Sequence, residues 1–130
     1  MGFDINVMME MFMCPKTGKP FYYGYNEATN NLEKVYDLPD VTVPERMCDY
    51  LVGRGSIFHA YTELFNERDI FNVTVDEFLE AYPSWQQVTE SNYYSEETTD
   101  YWTVEDHEGF KQLLEWCTQQ RAAFRVCWSY

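Results

Sequence analysis

Two pairs of a thiol and an imidazole have the residue types that covalent catalysis would need. Cys48 precedes His59 by eleven residues, and Cys117 follows His107 by ten. A cysteine becomes a nucleophile when a nearby base or cation holds it as a thiolate. Cys48 lies beside the apolar stripe of a predicted helix and Cys117 lies on one, which favours packed, inert thiols. We therefore expect no catalytic residues. A small hydrolase, built on these pairs or on paired acids, is the least favoured alternative.

The same residues carry no signature of a metal or cofactor site. The four cysteines and two histidines show neither a Cys-x-x-Cys nor a His-x-x-x-His spacing, the spacings typical of zinc sites. The acids form no EF-hand loop pattern, and no complete phosphate-binding loop is present. We expect no metal and no cofactor, and we interpret the cysteines as reduced thiols that are mostly buried.

Carboxylates are the chemical group that this chain concentrates. Its 130 residues include 22 Asp and Glu against 9 Lys and Arg, a net charge of −13. The acidic segment, residues 61–108, holds thirteen of these acids and only Arg68 as a base, and so carries −12. Residues 1–60 carry −3 and residues 109–130 carry +2. Because like charges repel within a folded domain, such a concentration reduces stability.

Aromatic residues are interleaved with acids in the second half of the acidic segment. Tyr and Trp anchor many protein interfaces, and clustered acids steer a basic partner electrostatically. Carboxylates one helical turn apart lie about 5–6 Å from each other, a spacing comparable to that of backbone phosphates. The predicted binding face consists of Glu90, Tyr93, Tyr94, Glu96, Glu97, Asp100, Tyr101, Trp102, Glu105, Asp106 and Glu108.

This pattern predicts a non-enzymatic interaction protein that binds a basic protein surface. In its sharper form the protein is a nucleic-acid mimic, an inhibitor of the type that phages and viruses make. The net charge opposes direct binding to nucleic acid or to an anionic membrane. With no secretory signal and no apolar run near the about 20 residues that span a bilayer, we expect a cytoplasmic protein, or one in the host-cell interior if it is viral. The alternative is a structural or assembly subunit, a homo-oligomer or particle component joined through the hairpin Phe21–Tyr25 and the aromatic C-terminus.

The first part of the chain has the periodicity of strands. Residues 3–13 alternate in polarity, and the aromatic run Phe21–Tyr25 follows a turn of Pro and Gly. A second turn cluster precedes Leu32–Tyr36. Three such runs separated by turns predict a three-stranded antiparallel meander.

Helical spacing of apolar residues dominates the rest. Four helices are predicted to begin at Pro44, Ser56, Thr74 and Thr103, where a proline in the first turn or a capping hydroxyl suits a helix start. Residues 89–102 lack a clear period and are predicted as an acidic loop. The last helix is predicted to continue to about residue 123, and 124–130 fit helix or strand.

Together these elements predict an α+β fold in one domain, residues 1–130. Its sheet comes from residues 1–37, and residues 38–130 are mainly helical.

Overall fold

The computed structural model describes residues 3–38, 41–68 and 72–129. The fold is α+β, as the sequence predicts, with helices packed against antiparallel sheets. The residues outside these ranges include Asp40 and Asp69, which are counted in the charges above, and Tyr130 of the aromatic C-terminus.

A four-stranded antiparallel sheet, the central sheet, contains both ends of the described chain. In spatial order its strands are β5 (Val52–Arg54), β1 (Asp4–Met9), β7 (Phe124–Ser129) and β6 (Asn72–Thr74). β7 pairs with β1 over its whole length. The segment that fitted helix or strand is therefore a strand over 124–129, and its alternate residues Phe124, Val126 and Trp128 are buried.

A second, smaller sheet holds the predicted meander. Its order is β2 (Phe12–Met13), β3 (Pro20–Asn26) and β4 (Asn31–Val35). The first predicted strand is divided between the two sheets, because β1 joins the central sheet and only β2 pairs with β3. Between β1 and β2 the backbone N–H of Glu10 donates to the carbonyl oxygen of Ala123 at 2.6 Å.

Five α-helices are described, two of them a single turn long. They are α1 (Cys48–Leu51), α2 (His59–Thr62), α3 (Val75–Glu80), α4 (Trp85–Glu90) and α5 (Val104–Gln119). 3-10 turns cover Glu45–Met47, Ser56–Phe58, Glu63–Arg68 and Thr98–Asp100. None of the described helices combines the length and apolarity that crossing a bilayer would need.

Local capping signals explain where the longer helices begin. Thr74 and Glu77 form a reciprocal capping box at the start of α3, and Thr103 and Asp106 form one at the start of α5. Each box satisfies backbone N–H groups that have no partner within the helix. The helix starts predicted at Thr74 and Thr103 are confirmed. At Pro44 and Ser56 the chain instead enters a 3-10 turn that leads into a single-turn α-helix.

The end of α5 differs from the prediction. The helix stops at Gln119, not near residue 123, and Arg121 follows with φ of 56°. The side chain of Arg121 is exposed. A residue in the left-handed region ends the helix, and the chain reverses to enter β7.

α5 packs its apolar stripe onto the central sheet and its neighbouring helices. Phe110, Leu113, Leu114 and Cys117 are fully buried in one core cluster with residues of β1 and β7. Burial of a large apolar side chain stabilises the fold by about 1.5–3 kcal/mol. The opposite side of α5 faces solvent, so the core positions the acids near the start of the helix.

Candidate protein-binding surface

The loop before α5 is tied to the core by two buried side chains. Trp102 is 6% exposed, and its Nε1 donates to the hydroxyl oxygen of Tyr61 at 3.0 Å. The Oγ1 of Thr98, also buried, accepts a hydrogen bond from the backbone N–H of Ser95 at 3.1 Å. The carbonyl oxygen of Thr98 accepts another from the backbone N–H of Trp102 at 2.9 Å. The acids in this loop therefore project from a backbone anchored to the core.

Six of the seven acids of the predicted binding face are exposed: Glu90, Glu96, Glu97, Asp100, Glu105 and Glu108. The seventh, Asp106, is half-buried. Its carboxylate accepts hydrogen bonds from the backbone N–H of Thr103 at 2.8 Å and from the hydroxyl of Tyr50 at 3.1 Å. Asp106 therefore supports the helix start.

Five of these exposed acids lie within thirteen consecutive residues. Glu96, Glu97 and Asp100 belong to the loop, and Glu105 and Glu108 to the first turns of α5. We call these five residues the acidic surface. Glu90 lies apart at the end of α4, where its carboxylate accepts a hydrogen bond from Gln86.

The aromatic residues of the predicted face divide by exposure. Tyr101 is 54% exposed, whereas Trp102 is buried. Tyr93 and Tyr94 are half-buried: the ring of Tyr93 stacks on His59 at 4.9 Å, and that of Tyr94 meets the ring of Trp85 edge-on at 5.4 Å. Tyr101 is thus the predicted aromatic residue most open to a partner, and the other three pack against the core.

The ion pairs recorded among the described residues all lie outside the acidic segment. They join Arg54 to Asp4 at 3.0 Å, Arg125 to Glu10 at 3.5 Å, and Arg121 to Glu27. These are all the arginines whose side chains the structure describes. Within that part of the chain, no carboxylate of the acidic segment enters an ion pair.

A groove of about 430 Å³ runs beside the acidic surface. It is lined by Met47, Tyr50, Val104, Glu105, Glu108, Gly109 and Gln112. A Cβ on Gly109 would lie 2.8 Å from the hydroxyl oxygen of Tyr50, so glycine at this position allows the tyrosine to pack against α5. The sequence interpretation missed this groove. Its available signals were a glycine inside a helical pattern and the spacing of Glu105, Glu108 and Gln112 on one helix side.

The acids of α3 lie near the other end of α5. Asp76 accepts a hydrogen bond from the hydroxyl of Thr118 at 3.3 Å. Thr118 follows Glu108 by ten residues, which is about 15 Å along a helix axis. The charge of the acidic segment is therefore divided between separate groups, of which the acidic surface is the denser.

The thiol–imidazole pairs occupy environments that differ from a catalytic site. Burial raises the pKa of the fully buried Cys117 to about 12, so it remains a thiol at neutral pH. Burial also lowers the pKa of His107, whose Nδ1 lies 2.7 Å from the hydroxyl oxygen of Tyr61. Cys48 is exposed, and its Sγ donates to the carbonyl oxygen of Pro44 at 3.7 Å.

Cys14 is a titratable thiol that the sequence interpretation did not single out. Hydrogen bonds from the side chain and backbone of Thr17 lower its pKa to about 6, and the hydroxyl of Tyr36 contributes. The available signal was the Pro-Lys-Thr-Gly turn that follows Cys14, since such turns direct donors back to the preceding residue. The residue lies in the turn between β2 and β3 and is 7% exposed.

Among the residues that the structure describes, no three His, Cys, Asp or Glu side chains come together as a metal-ligand set. The chain was compared with protein-family models, with curated proteins and with solved structures, and none of the three comparisons found a match. The functional conclusion therefore depends on the surface itself.

Proposed function

We propose that this protein binds a basic protein surface through the acidic surface. One observation carries the proposal: each arginine whose side chain is described is ion-paired with an acid outside the acidic segment. The exposed carboxylates of the acidic surface enter no ion pair among the described residues, although Lys111 follows Glu108 by three residues on α5. Lys and Arg residues of a partner would supply the counter-charge and relieve the repulsion.

The groove beside α5 adds apolar contact to this electrostatic attraction. Val104 is exposed at the rim and Met47 is buried, while Glu105 and Glu108 line the same groove. Tyr101 offers an exposed ring nearby in sequence. Charge directs a basic partner to the surface, and apolar contacts then stabilise the bound complex.

In its sharper form, the protein is a nucleic-acid mimic that inhibits a DNA- or RNA-binding protein of a host cell. Glu105 and Glu108 are about one helical turn apart, so their Cβ atoms lie about 5–6 Å from each other. The loop acids extend this row of negative charge. Competition distinguishes the two forms, because a mimic and DNA exclude each other from the partner's groove, whereas an ordinary acidic interface leaves that groove accessible.

Affinity capture at low salt tests the proposal. The double variant Glu105→Gln and Glu108→Gln removes two charges from the acidic surface. The matched control, Glu80→Gln and Glu115→Gln, removes two exposed helical acids outside it. We expect basic proteins on the wild-type chain, with affinity reduced about tenfold or more by the first variant and little by the second.

Two further measurements decide the outcome. Raising the salt concentration should weaken capture steeply, because salt screens exposed charges. Added duplex DNA should displace the partner if the protein is a mimic. Equal loss of capture in both double variants would contradict the assignment to the acidic surface, and capture that ignores salt would contradict the electrostatic proposal altogether.

A further inference from the structure

The groove beside α5 combines two exposed acids with an aromatic ring. Glu105, Glu108, Gly109 and Gln112 line it from the helix. The last three follow Glu105 by three, four and seven residues, a spacing that places all four on one face of a helix. Tyr50 lines the groove from α1. Two carboxylates and an aromatic ring are therefore gathered in one groove.

Gly109 brings the ring of Tyr50 against the helix. A Cβ at this position would lie 2.8 Å from the hydroxyl oxygen of Tyr50 and 3.1 Å from its Cζ, so the edge of the ring rests on the backbone of α5. The hydroxyl donates to the carboxylate of Asp106 at 3.1 Å. The ring also meets that of Trp102 edge-on, with the centroids 5.9 Å apart. The core and the helix therefore hold the ring in place beside the two acids.

The charge of the groove is negative only. Glu105 and Glu108 are exposed, and neither enters an ion pair among the described residues. Lys111 follows Glu108 by three residues, but it is not among the described residues that line the groove, none of which carries a positive charge. The polar side chain of Gln112 adds no charge. Charge complementarity therefore selects a cation as the occupant of this groove.

The apolar lining restricts the type of cation. Met47 is buried in the groove and Val104 is exposed at its rim, and with the ring of Tyr50 they offer apolar surface next to the carboxylates. An arginine matches this arrangement, because its planar guanidinium stacks on aromatic rings and donates in pairs to carboxylates. Its methylene stem covers apolar surface. A lysine ammonium is a compact, strongly hydrated charge and gains less from a ring.

We propose that the groove beside α5 binds an arginine side chain of the basic partner. The guanidinium lies against the ring of Tyr50 and donates N–H groups to the carboxylates of Glu105 and Glu108, while its stem covers Met47. This inference rests on the proposed function, and it names the residue type that the partner must present. A partner surface rich in lysine alone would be attracted to the acidic surface but would not fill the groove.

Nuclear magnetic resonance titration of the labelled chain tests the inference. The probes are three capped tripeptides that carry arginine, lysine or citrulline between two glycines. We expect the arginine peptide to shift the backbone amide of Gly109 and the methyl group of Met47 in a saturable way. Its Kd should lie about threefold or more below that of the lysine peptide. Citrulline has nearly the shape of arginine without its charge, and should give no saturable shift.

A matched pair of substitutions at Tyr50 separates the ring from the charges. Tyr50→Leu removes the ring and keeps both acids, and should raise the Kd of the arginine peptide to that of the lysine peptide. Tyr50→Phe keeps the ring and loses only the hydroxyl, and should retain the preference for arginine. Circular dichroism checks that both variants fold.

The double variants used for the capture experiment test the acids with the same peptides. Glu105→Gln with Glu108→Gln should raise the Kd of the arginine peptide about tenfold or more, and Glu80→Gln with Glu115→Gln should leave it unchanged.

Two results would overturn the arginine inference and leave the proposal of a basic partner intact. One is an equal Kd for the arginine and lysine peptides on the wild-type chain. The other is a preference for arginine that persists in a folded Tyr50→Leu variant. Equal losses in the two double variants would instead contradict the acidic surface as the binding site, and the arginine inference with it.

Discussion

One face of the smaller sheet and the acidic surface differ in charge, in apolar exposure and in their relation to the core. We call this face, which carries Phe12, Phe21, Tyr23, Tyr25, Leu32 and Tyr36, the aromatic sheet face. The first belongs to a small sheet whose surrounding residues, 11–38, have no net charge. The second lies on a long helix and its preceding loop, with exposed carboxylates over a densely packed interior. The net charge of −13 is therefore a property of only part of this molecule's surface.

The two regions also differ in how their charges are compensated. Near the smaller sheet, Glu27 is ion-paired with Arg121, and Lys34 lies over an aromatic ring. At the acidic surface, the described residues supply no cation within ion-pair distance. The first region is therefore suited to apolar contact, and the second to a partner that brings positive charge.

Removing a buried ring below the acidic surface should give the largest effect. Phe110 is fully buried against the rings of Tyr61, Phe78 and Phe58. We expect Phe110→Ala to lower the free energy of unfolding by about 3–5 kcal/mol, through lost apolar burial and a cavity. Urea denaturation measures this loss. The exposed Leu32→Ala of the aromatic sheet face is the control, expected within about 0.5 kcal/mol of wild type. Similar losses of free energy of unfolding in both variants would show that the two regions do not differ in packing.

The free energy of unfolding should depend on pH in two different ranges, one set by a residue near the acidic surface and the other by a residue near the smaller sheet. Burial lowers the pKa of His107, so the unfolded chain binds its proton more readily, and stability falls as the pH drops below about 6.5. His59, lowered by burial too, acts in the same direction. Cys14, with a pKa of about 6, is ionised in the folded chain over a range where the unfolded thiol is protonated. Its contribution should therefore diminish as the pH falls from about 9 to about 6.

Two variants test which residue causes the pH dependence of stability in each of these pH ranges. For His107 the slope below about pH 6.5 is at most about 1.4 kcal/mol per pH unit, and His107→Gln should flatten it. Cys14→Ser should flatten the dependence between about pH 6 and 9 and leave the acidic window unchanged. The measurement is the urea midpoint at several pH values. If either variant flattened the pH dependence in the range assigned to the other residue, the assignment would be wrong.

The smallest effects should have opposite signs in the two regions. Glu97→Gln removes a repulsive charge from the acidic surface and should raise the free energy of unfolding by a few tenths of a kcal/mol. Glu27→Gln removes one partner of an exposed ion pair and should lower it by a similar amount, since solvent screens such pairs. Replicate denaturation curves at low salt measure both changes. If both variants changed the free energy of unfolding in the same direction, the proposed difference in charge compensation between the two regions would be wrong.

Several helix starts could be predicted because their signals are local. Thr74 with Glu77, and Thr103 with Asp106, are three residues apart, and each pair satisfies backbone groups of its own helix. The strand pattern could also be predicted, since residues 3–13 alternate in polarity. The division of that run into β1 and β2 was not visible, because the two parts pair with segments more than a hundred residues apart in sequence, β7 and β3.

Prediction of the candidate binding surface was limited in the same way, by contacts between residues far apart in sequence. The positions of the acids are evident from the sequence, and their exposure follows from the cost of burying a charge. The burial of Trp102 could not be predicted, because it depends on the hydroxyl of Tyr61, forty-one residues away. The groove with Tyr50 requires a contact across fifty-six residues, between Tyr50 and Asp106.

The sequence by itself determined where the charge lies, which capping residues begin the longer helices, and that strands and helices combine in one α+β fold. Only the tertiary structure decided the partners of each strand, the rings that stay exposed, and the separation of the aromatic sheet face from the acidic surface. The physical reason is the range of the interactions. Charge and capping are set by residues close together in the chain, whereas burial and strand pairing depend on neighbours that folding brings together.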